Sequence, residues 1–270
     1  MQQYRIIALD LDGTLTDSEK KITPKTKEAL HSLIRKGVRL VLASGRPVCG
    51  ILPVAEELGL PQLGGYILAF NGARMIECQS GEVIEETCLS TGQMREILDF
   101  VEEQEAVCLT YDGADIISEH PEDPYVQLEG KINRTTVRGV DSLKEKATKP
   151  VNKYLIVGSP EKMERLELQA KERFGHELSV FRSEPYFLEV LPKGLDKASA
   201  LARLLEKTGE GRENLMAFGD GYNDISMMSY AGLGIAMGNA QEVVKKAADY
   251  VTLSNDEDGI AAALEHFHML

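Results

Sequence analysis

Residues 6–15 of the chain read IIALDLDGTL. The apolar first half predicts a buried strand, and the polar second half predicts a turn that contains Asp10 and Asp12. Because side chains alternate along an extended chain, we expect these two carboxylates to lie on the same side. Two like charges this close are costly unless a cation lies between them. Mg²⁺, which binds oxygen ligands and often a substrate phosphate as well, fits such a position.

Further strands and helices follow this stretch along the chain. A helix is predicted to begin at Pro24, because Thr23 can cap it and proline is favoured at the first helical position. Apolar runs at residues 38–43 and 66–70 predict two more strands, which a helical pattern separates. Strands connected through helices indicate right-handed crossovers and a parallel sheet. The sequence therefore predicts an α/β fold with a doubly wound parallel-sheet core.

Polar residues follow each of these strands. The second strand ends in Ser44, Gly45 and Arg46, and the third ends at Asn71, which a glycine follows. Ligands of parallel sheets bind beyond the carboxyl ends of the strands, so we expect these residues near the carboxylates of the first strand. The Asn-Gly pair is equally typical of a hairpin turn, which leaves a structural role for Asn71 open.

The pattern changes in the middle of the chain. Helices are predicted at residues 91–103 and 161–174, with short strands around them and a polar stretch at residues 119–149. This mixture indicates an α+β insert with its own small sheet. A parallel-sheet pattern is predicted to return near residues 187–191. The predicted domains are a core of residues 1–82 and 188–270 and an inserted cap of residues 83–187.

Two more polar clusters follow the insert. Lys197 opens a predicted helix that Asp196 caps, and a cation is unfavourable beside the positive end of a helix dipole. This position indicates an anionic partner for the lysine. A later apolar strand ends in GDGYND, which contains Asp220, Asn223 and Asp224. Together the clusters supply the nucleophile, metal ligands, phosphate-binding groups and acid/base that phosphoryl transfer requires.

The order of these motifs resembles that of a known family. DxDGT, a strand ending in SGR, a lysine and GDGxND occur in this order in the haloacid dehalogenase (HAD) superfamily of phosphohydrolases, and the resemblance covers essentially the whole chain. The insert resembles the type IIB α+β cap of the Cof-type branch, which mostly hydrolyses sugar phosphates and other small phosphate esters. The resemblance implies a HAD-like, Rossmannoid core and a Mg²⁺-dependent phosphatase acting through an aspartyl-phosphate. A phosphotransferase or phosphomutase, and a non-catalytic sensor of phosphorylated ligands, remain the alternatives.

The resemblance also implies roles for the acidic residues and the lysine. Asp10 would attack phosphorus, and Asp12 would protonate the leaving alcohol and then accept a proton from water. Lys197 would neutralise charge on Asp10 and on the phosphate. Mg²⁺ would be held by Asp10, by the backbone carbonyl of Asp12 and by Asp220, with Asp224 close by.

A second group of residues is expected around the phosphate: Thr14, Ser44, Gly45, Arg46, Asn71 and Asn223. The resemblance implies that Ser44 and the Gly45 amide bind the transferring phosphate. Asn223 would contact the phosphate or orient the lysine, and Thr14 would donate a hydrogen bond near the nucleophile. Arg46 and Asn71 lie at positions that match the family's motifs close to the site.

Composition and charge limit the expected partners. The net charge of −13 and the pI of about 5.0 disfavour nonspecific binding to nucleic acid or to an anionic membrane. The four cysteines show no metal-ligand spacing, which indicates free thiols in a reducing cytoplasm. The first strand leaves no room for a signal peptide, and no apolar run reaches the ~20 residues of a membrane helix. The expected partner is a small phosphorylated metabolite, and the oligomeric state stays open.

Overall fold

The computed structural model describes residues 4–270, which form two compact units. The core unit comprises the chain up to Gly45 together with Ile51–Glu85 and Asp196–Leu270. The cap unit comprises Arg46–Gly50 and Glu86–Leu195. The sequence predicts a cap of residues 83–187, whereas the cap unit begins at Glu86, ends at Leu195 and includes the short segment Arg46–Gly50.

The described residues form the following elements. The strands are β1 (Ile6–Leu9), β2 (Arg39–Ala43), β3 (Tyr66–Ala69), β4 (Arg74–Glu77), β5 (Val83–Glu86), β6 (Val107–Asp112), β7 (Asp115–Ser118), β8 (Val137–Gly139), β9 (Tyr154–Val157), β10 (Leu178–Glu184), β11 (Phe187–Pro192), β12 (Leu215–Gly219), β13 (Leu233–Ala236) and β14 (Tyr250–Val251). The helices are α1 (Pro24–Arg35), α2 (Val48–Glu57), α3 (Leu60–Leu63), α4 (Thr91–Glu103), α5 (Pro124–Asn133), α6 (Leu143–Lys146), α7 (Pro160–Phe174), α8 (Lys197–Thr208), α9 (Ile225–Tyr230), α10 (Glu242–Ala247) and α11 (Gly259–His266). Over residues 4–270, no helix combines the length and the apolar character needed to cross a membrane.

An eight-stranded sheet forms the centre of the core unit, in the order β14-β13-β12-β1-β2-β3-β4-β5. Neighbouring strands from β14 to β3 run parallel, whereas β4 runs antiparallel to β3. The chain adds β2 and β3 on one side of β1, and later adds β12, β13 and β14 on the other side. This confirms the predicted doubly wound parallel sheet, and it places the reversal of strand order between β1 and β12, where such sheets bind ligands.

The central strand is buried on both faces, as a parallel sheet covered by helices requires. All four residues of β1 are fully buried. Ile6 and Ala8 join a hydrophobic cluster with Leu201 of α8 and Met228 of α9. Because side chains alternate along a strand, the other two residues of β1 face the opposite side of the sheet. This packing fixes the end of β1, and with it the position of the residue that follows.

The cap unit has its own six-stranded sheet, in the order β10-β11-β9-β6-β7-β8. β11 pairs antiparallel with both β9 and β10, so the prediction that residues 187–191 return to the parallel sheet is wrong. An apolar strand has the same local pattern in either sheet, and long-range pairing decides where it belongs. Two helices, α5 and α6, and one strand, β8, lie in the polar stretch of residues 119–149, where polarity alone predicts no element.

Candidate active site

The predicted nucleophile follows the central strand directly. Asp10 is 7% exposed, and its amide donates to the carbonyl of Phe218 in β12 at 3.1 Å. β1 ends before Asp10, and Gly13 turns the chain with φ +82°. The argument that Asp10 and Asp12 lie on the same side assumes an extended strand, so it does not apply here. The Asp12 side chain is 37% exposed, and its carboxylate lies 2.6 Å from Lys20 Nζ.

A buried lysine joins two of the predicted carboxylates. Lys197 is the first residue of α8 and fully buried, and its Nζ lies 2.6 Å from Asp10 Oδ1 and 2.6 Å from Asp224 Oδ1. Burial alone lowers the pKa of a lysine, but the two carboxylates outweigh it and raise the pKa of Lys197 above its usual range. The lysine therefore stays charged, and the carboxylates offset its unfavourable position at the helix N-terminus.

Three carboxylates form a cluster that fits a divalent cation. One oxygen each from Asp10, Asp220 and Asp224 lies within 4.8 Å of the others. Burial, together with the neighbouring Asp224, raises the pKa of Asp10 to about 8 against the opposing charge of Lys197. Burial likewise raises the pKa of Asp220 to about 6. A cation bound here would relieve this repulsion, and a donor set of oxygens alone suits Mg²⁺.

Asp224 organises the loop that follows β12. Its Oδ2 accepts hydrogen bonds from the amides of Asp220 at 3.0 Å and Gly221 at 2.8 Å, while its Oδ1 contacts Lys197. Both oxygens therefore already have protein partners. Asp224 is therefore better suited to lie close to the metal than to be one of its direct ligands.

The turn after β1 contacts Asp220 closely. Thr14 Oγ1 donates to Asp220 Oδ1 at 2.8 Å, so this hydroxyl orients a predicted metal ligand rather than the nucleophile itself. A Cβ on Gly13 would lie 2.4 Å from Asp220 Oδ2, and the φ of +82° is one that other residues rarely adopt. Glycine is thus required where the ends of β1 and β12 approach each other.

Three of the phosphate-binding candidates, Ser44, Gly45 and Asn71, follow the ends of β2 and β3. Ser44 is 2% exposed, and its carbonyl accepts from the amide of Asn71 at 2.9 Å. Asn71 has φ +55° in the turn from β3 to β4, which supports the hairpin interpretation. Its Oδ1 also accepts from Asn223 Nδ2 at 3.4 Å and lies 3.3 Å from a Cβ built on Gly45. Asn71 therefore shapes the turn and positions two predicted phosphate-binding residues.

Arg46 belongs to the cap unit, and its Nη1 donates to the carbonyl of Gly50 at 3.2 Å. Its expected contact with phosphate therefore stays a prediction.

Two residues near the site were not found from the sequence. Asn239 Nδ2 donates to the carbonyl of Gly13 at 2.8 Å and to Asp220 Oδ2 at 3.3 Å. Asn239 follows β13, and the strand-end argument applied to that strand would have found it. Lys20, the partner of Asp12, carries no such signal because it lies in an exposed loop, where its φ is +60°.

Comparison with known proteins adds an independent observation. A family model of haloacid dehalogenase-like hydrolases matches residues 7–264. The 5-amino-6-(5-phospho-D-ribitylamino)uracil phosphatase YcsE of Bacillus subtilis (strain 168) is 32% identical over 265 residues, which cover 97% of this chain and 95% of that protein.

Solved structures agree with this match. A haloacid dehalogenase-like hydrolase from Bacteroides thetaiotaomicron has a TM-score of 0.94 and 48% identity, covering 98% of this chain and 99% of that one. A HAD subclass IIB sugar phosphatase has a TM-score of 0.82 and 29% identity, covering 98% and 100% of the two chains.

Proposed function

This chain belongs to the haloacid dehalogenase-like hydrolases, in the Cof-type branch, and we propose that it is a Mg²⁺-dependent phosphatase of small phosphate monoesters. Asp10 would carry an aspartyl-phosphate intermediate. The observation that carries the proposal is the buried contact of Asp10 with Lys197, beside Asp220, at the point where the strand order reverses. A carboxylate held in this way is oriented for nucleophilic attack and cannot move freely.

In the first step an oxygen of Asp10 attacks phosphorus, and the bond from phosphorus to the alcohol oxygen breaks. Asp12 gives its proton to that oxygen, so that the alcohol leaves neutral. Asp12 is exposed enough to reach a substrate once it separates from Lys20. Lys197 supports the step by balancing the negative charge that collects around Asp10.

In the second step water attacks the phosphorus of the aspartyl-phosphate. Asp12, now a carboxylate, takes a proton from the water, and the bond from phosphorus to Asp10 breaks. Inorganic phosphate leaves and the enzyme returns to its starting state. The same residue thus acts as acid and then as base, without any other proton donor.

Mg²⁺ would be held by Asp10, Asp220 and the backbone carbonyl of Asp12, with Asp224 orienting the loop. When bound, it would neutralise phosphate oxygens and screen the nucleophile from the phosphate charge. The protein contribution is a set of carboxylates whose raised pKa values reflect mutual repulsion that a cation removes. Thr14 and Asn239 hold Asp220 in place from two sides.

We propose a sugar phosphate or a related small metabolite as the substrate, and the cytoplasm as its location. Two proteins similar to this chain support the substrate class. One is a sugar phosphatase, and the other acts on a phosphate ester of a ribityl chain.

The test is phosphate release from a panel of phosphorylated metabolites by the wild type and by Asp10→Asn. We expect release by the wild type with Mg²⁺, none with chelator, and none by the variant under either condition. Release by Asp10→Asn at the wild-type rate would rule out the proposed nucleophile. Transfer to an added alcohol, with no release to water, would favour a phosphotransferase instead.

A further inference from the structure

A ring of hydrogen bonds in the core unit joins the turn after β1 to a turn near the end of the chain. Asn255 lies in this second turn, residues 254–258, which follows β14. Its backbone amide donates to Asn239 Oδ1 at 3.1 Å, and its side-chain Nδ2 donates to the carbonyl of Thr16 at 2.9 Å. Asn239 Nδ2 in turn donates to the carbonyl of Gly13 at 2.8 Å. The chain from Gly13 to Thr16 closes the ring, and all of these residues belong to the core unit.

The ring fixes the orientation of the Asn239 side chain. Its Nδ2 donates to two acceptors, the Gly13 carbonyl and, at 3.3 Å, Asp220 Oδ2, whereas its Oδ1 accepts from the backbone amide of Asn255. A side-chain amide rotated by half a turn would place its oxygen against two other oxygens and its nitrogen against an N–H group. The backbone amide of Asn255 therefore favours the one orientation in which Asn239 holds the predicted metal ligand Asp220.

The other end of the ring holds the turn that carries Asp12. Thr16 is buried, and both its amide and its hydroxyl donate to the carbonyl of Leu11, at 3.0 and 2.9 Å. These two bonds close residues 11–16 into one turn, and the Asn255 side chain binds that turn at the Thr16 carbonyl. The backbone carbonyl of Asp12, a proposed Mg²⁺ ligand, belongs to the same turn. Its position therefore depends on where the turn is held.

The turn of residues 254–258 is closed by other residues than Asn255. Asparagine is common in turns because its side chain can bind the backbone a few residues away. Here Ser254 Oγ donates to Glu257 Oε2 at 2.7 Å, and the amides of Glu257 and Gly259 donate to the carbonyl of Ser254 at 3.1 and 3.0 Å. The Asn255 side chain donates instead to Thr16, which is distant in the sequence. Removing this side chain therefore leaves the bonds that close the turn.

We propose that Asn255 is a positioning residue that preorganises two Mg²⁺ ligands, the carboxylate of Asp220 and the backbone carbonyl of Asp12. This inference rests on the proposed function, because it concerns the same metal ion. Groups that hold metal ligands from outside reduce the rearrangement that the ligands undergo when the cation binds, so the loss of such a group weakens metal affinity. Asn255 acts on both ligands at once, because its backbone and its side chain bind opposite ends of the ring.

The test measures Mg²⁺ affinity by calorimetry on the whole chain. Asn255→Ala removes the bond to the Thr16 carbonyl and should weaken Mg²⁺ binding about 3- to 10-fold, as expected for one hydrogen bond. The matched control is Asn214→Ala, because Asn214 is also a partly buried asparagine in a short 3₁₀ turn, and its Nδ2 donates to Glu210 outside the ring at 2.9 Å. This control should bind Mg²⁺ as the wild type does. Equal affinity in Asn255→Ala and the wild type overturns the proposal.

A second variant tests the backbone amide of Asn255. Asn255→Pro removes both donors, and proline suits this position because it is the first residue of a helical turn and follows Ser254, whose backbone is extended. This variant should bind Mg²⁺ more weakly than Asn255→Ala. Affinity equal to that of Asn255→Ala would overturn the role of the amide.

Melting temperatures separate positioning from stability. In chelator, Asn255→Ala and Asn214→Ala should lose similar, small amounts of stability, and added Mg²⁺ should raise the melting temperature of Asn214→Ala more than that of Asn255→Ala. Saturating Mg²⁺ should bring the kcat of Asn255→Ala close to the wild-type value. A loss of stability in chelator with unchanged Mg²⁺ affinity would show a structural role alone and overturn the proposal. If the wild type hydrolyses no ester, the phosphatase proposal fails, whereas Mg²⁺ affinity still decides the role of Asn255.

Discussion

At the residue scale, the buried lysine of the active site connects stability with chemistry. Lys197 is the partner of two carboxylates that the fold places in its interior. Its position at a helix start was enough to predict an anionic partner, because a lysine is unfavourable there. The pairing of Lys20 with Asp12 was not predicted, since nothing local distinguishes this lysine from the other exposed lysines of the chain.

We expect Lys197→Met to abolish phosphatase activity and to destabilise the protein by about 3–5 kcal/mol, because buried carboxylates lose their counter-charge. Chemical denaturation and phosphate release measure both effects. Lys207→Met is the control on the same helix, where the side chain is 45% exposed and lies 3.6 Å from Glu85. It should cost less than about 1 kcal/mol. Equal stability losses for the two variants would contradict the proposed role.

The raised pKa of Asp10 predicts a pH dependence of the metal-free protein. Between its ordinary value of 3.8 and about 8, the folded state holds a proton that the unfolded state releases. The free energy of unfolding should therefore fall as pH rises through this window. Asp220, with a pKa of about 6, acts in the same direction.

The measurement is the melting temperature in chelator from pH 5 to 8, for the wild type and for Asp10→Asn. The wild type should lose stability relative to the variant as pH rises, and Mg²⁺ should stabilise the wild type more at pH 8 than at pH 5. A wild type that gains stability over Asp10→Asn with rising pH would contradict the raised pKa of Asp10.

At the element scale, the strand ends carry the chemistry. The rule that parallel strands deliver ligand-binding residues at their carboxyl ends was sufficient to place residues after β1, β2, β3 and β12 from the sequence. It could not assign β11, whose apolar pattern fits either sheet and whose partners are distant in the chain. It also could not predict α5, because that helix lies in a polar stretch and not at the end of a parallel strand.

The close approach of two strand ends predicts a sharp difference between two glycines. Gly13 and Gly37 have similar φ values, +82° and +86°, but a Cβ would meet Asp220 only at the first and nothing within 4 Å at the second. Gly37→Ala should cost about 1–2 kcal/mol from its backbone conformation alone and leave kcat/KM intact. Gly13→Ala should in addition weaken Mg²⁺ binding and lower kcat/KM at least tenfold. Mg²⁺ titration and steady-state kinetics compare the two variants. Equal Mg²⁺ affinity and equal kcat/KM in Gly13→Ala and Gly37→Ala would contradict the proposed effect of a Cβ beside Asp220.

At the scale of the whole molecule, each unit has its own sheet and its own hydrophobic core. The order of the four motifs predicted the fold of the core, because each motif ends a strand or begins a helix around β1. The buried ion pair of the cap, between Lys153 and Glu189, could not be predicted. Glu189 and Lys153 meet only because β9 and β11 are neighbours, and nothing in their local sequence indicates this pairing.

The central claim is that Asp10 carries the phosphoryl group during turnover. The most direct measurement is mass spectrometry of the peptide of residues 6–20 after acid quench during turnover of the best substrate with Mg²⁺. We expect one added phosphoryl group on this peptide in the wild type, lost when the substrate is consumed, and none in Asp10→Asn. Continued hydrolysis by Asp10→Asn, with no phosphoryl group on the wild-type peptide at any time, would contradict the claim.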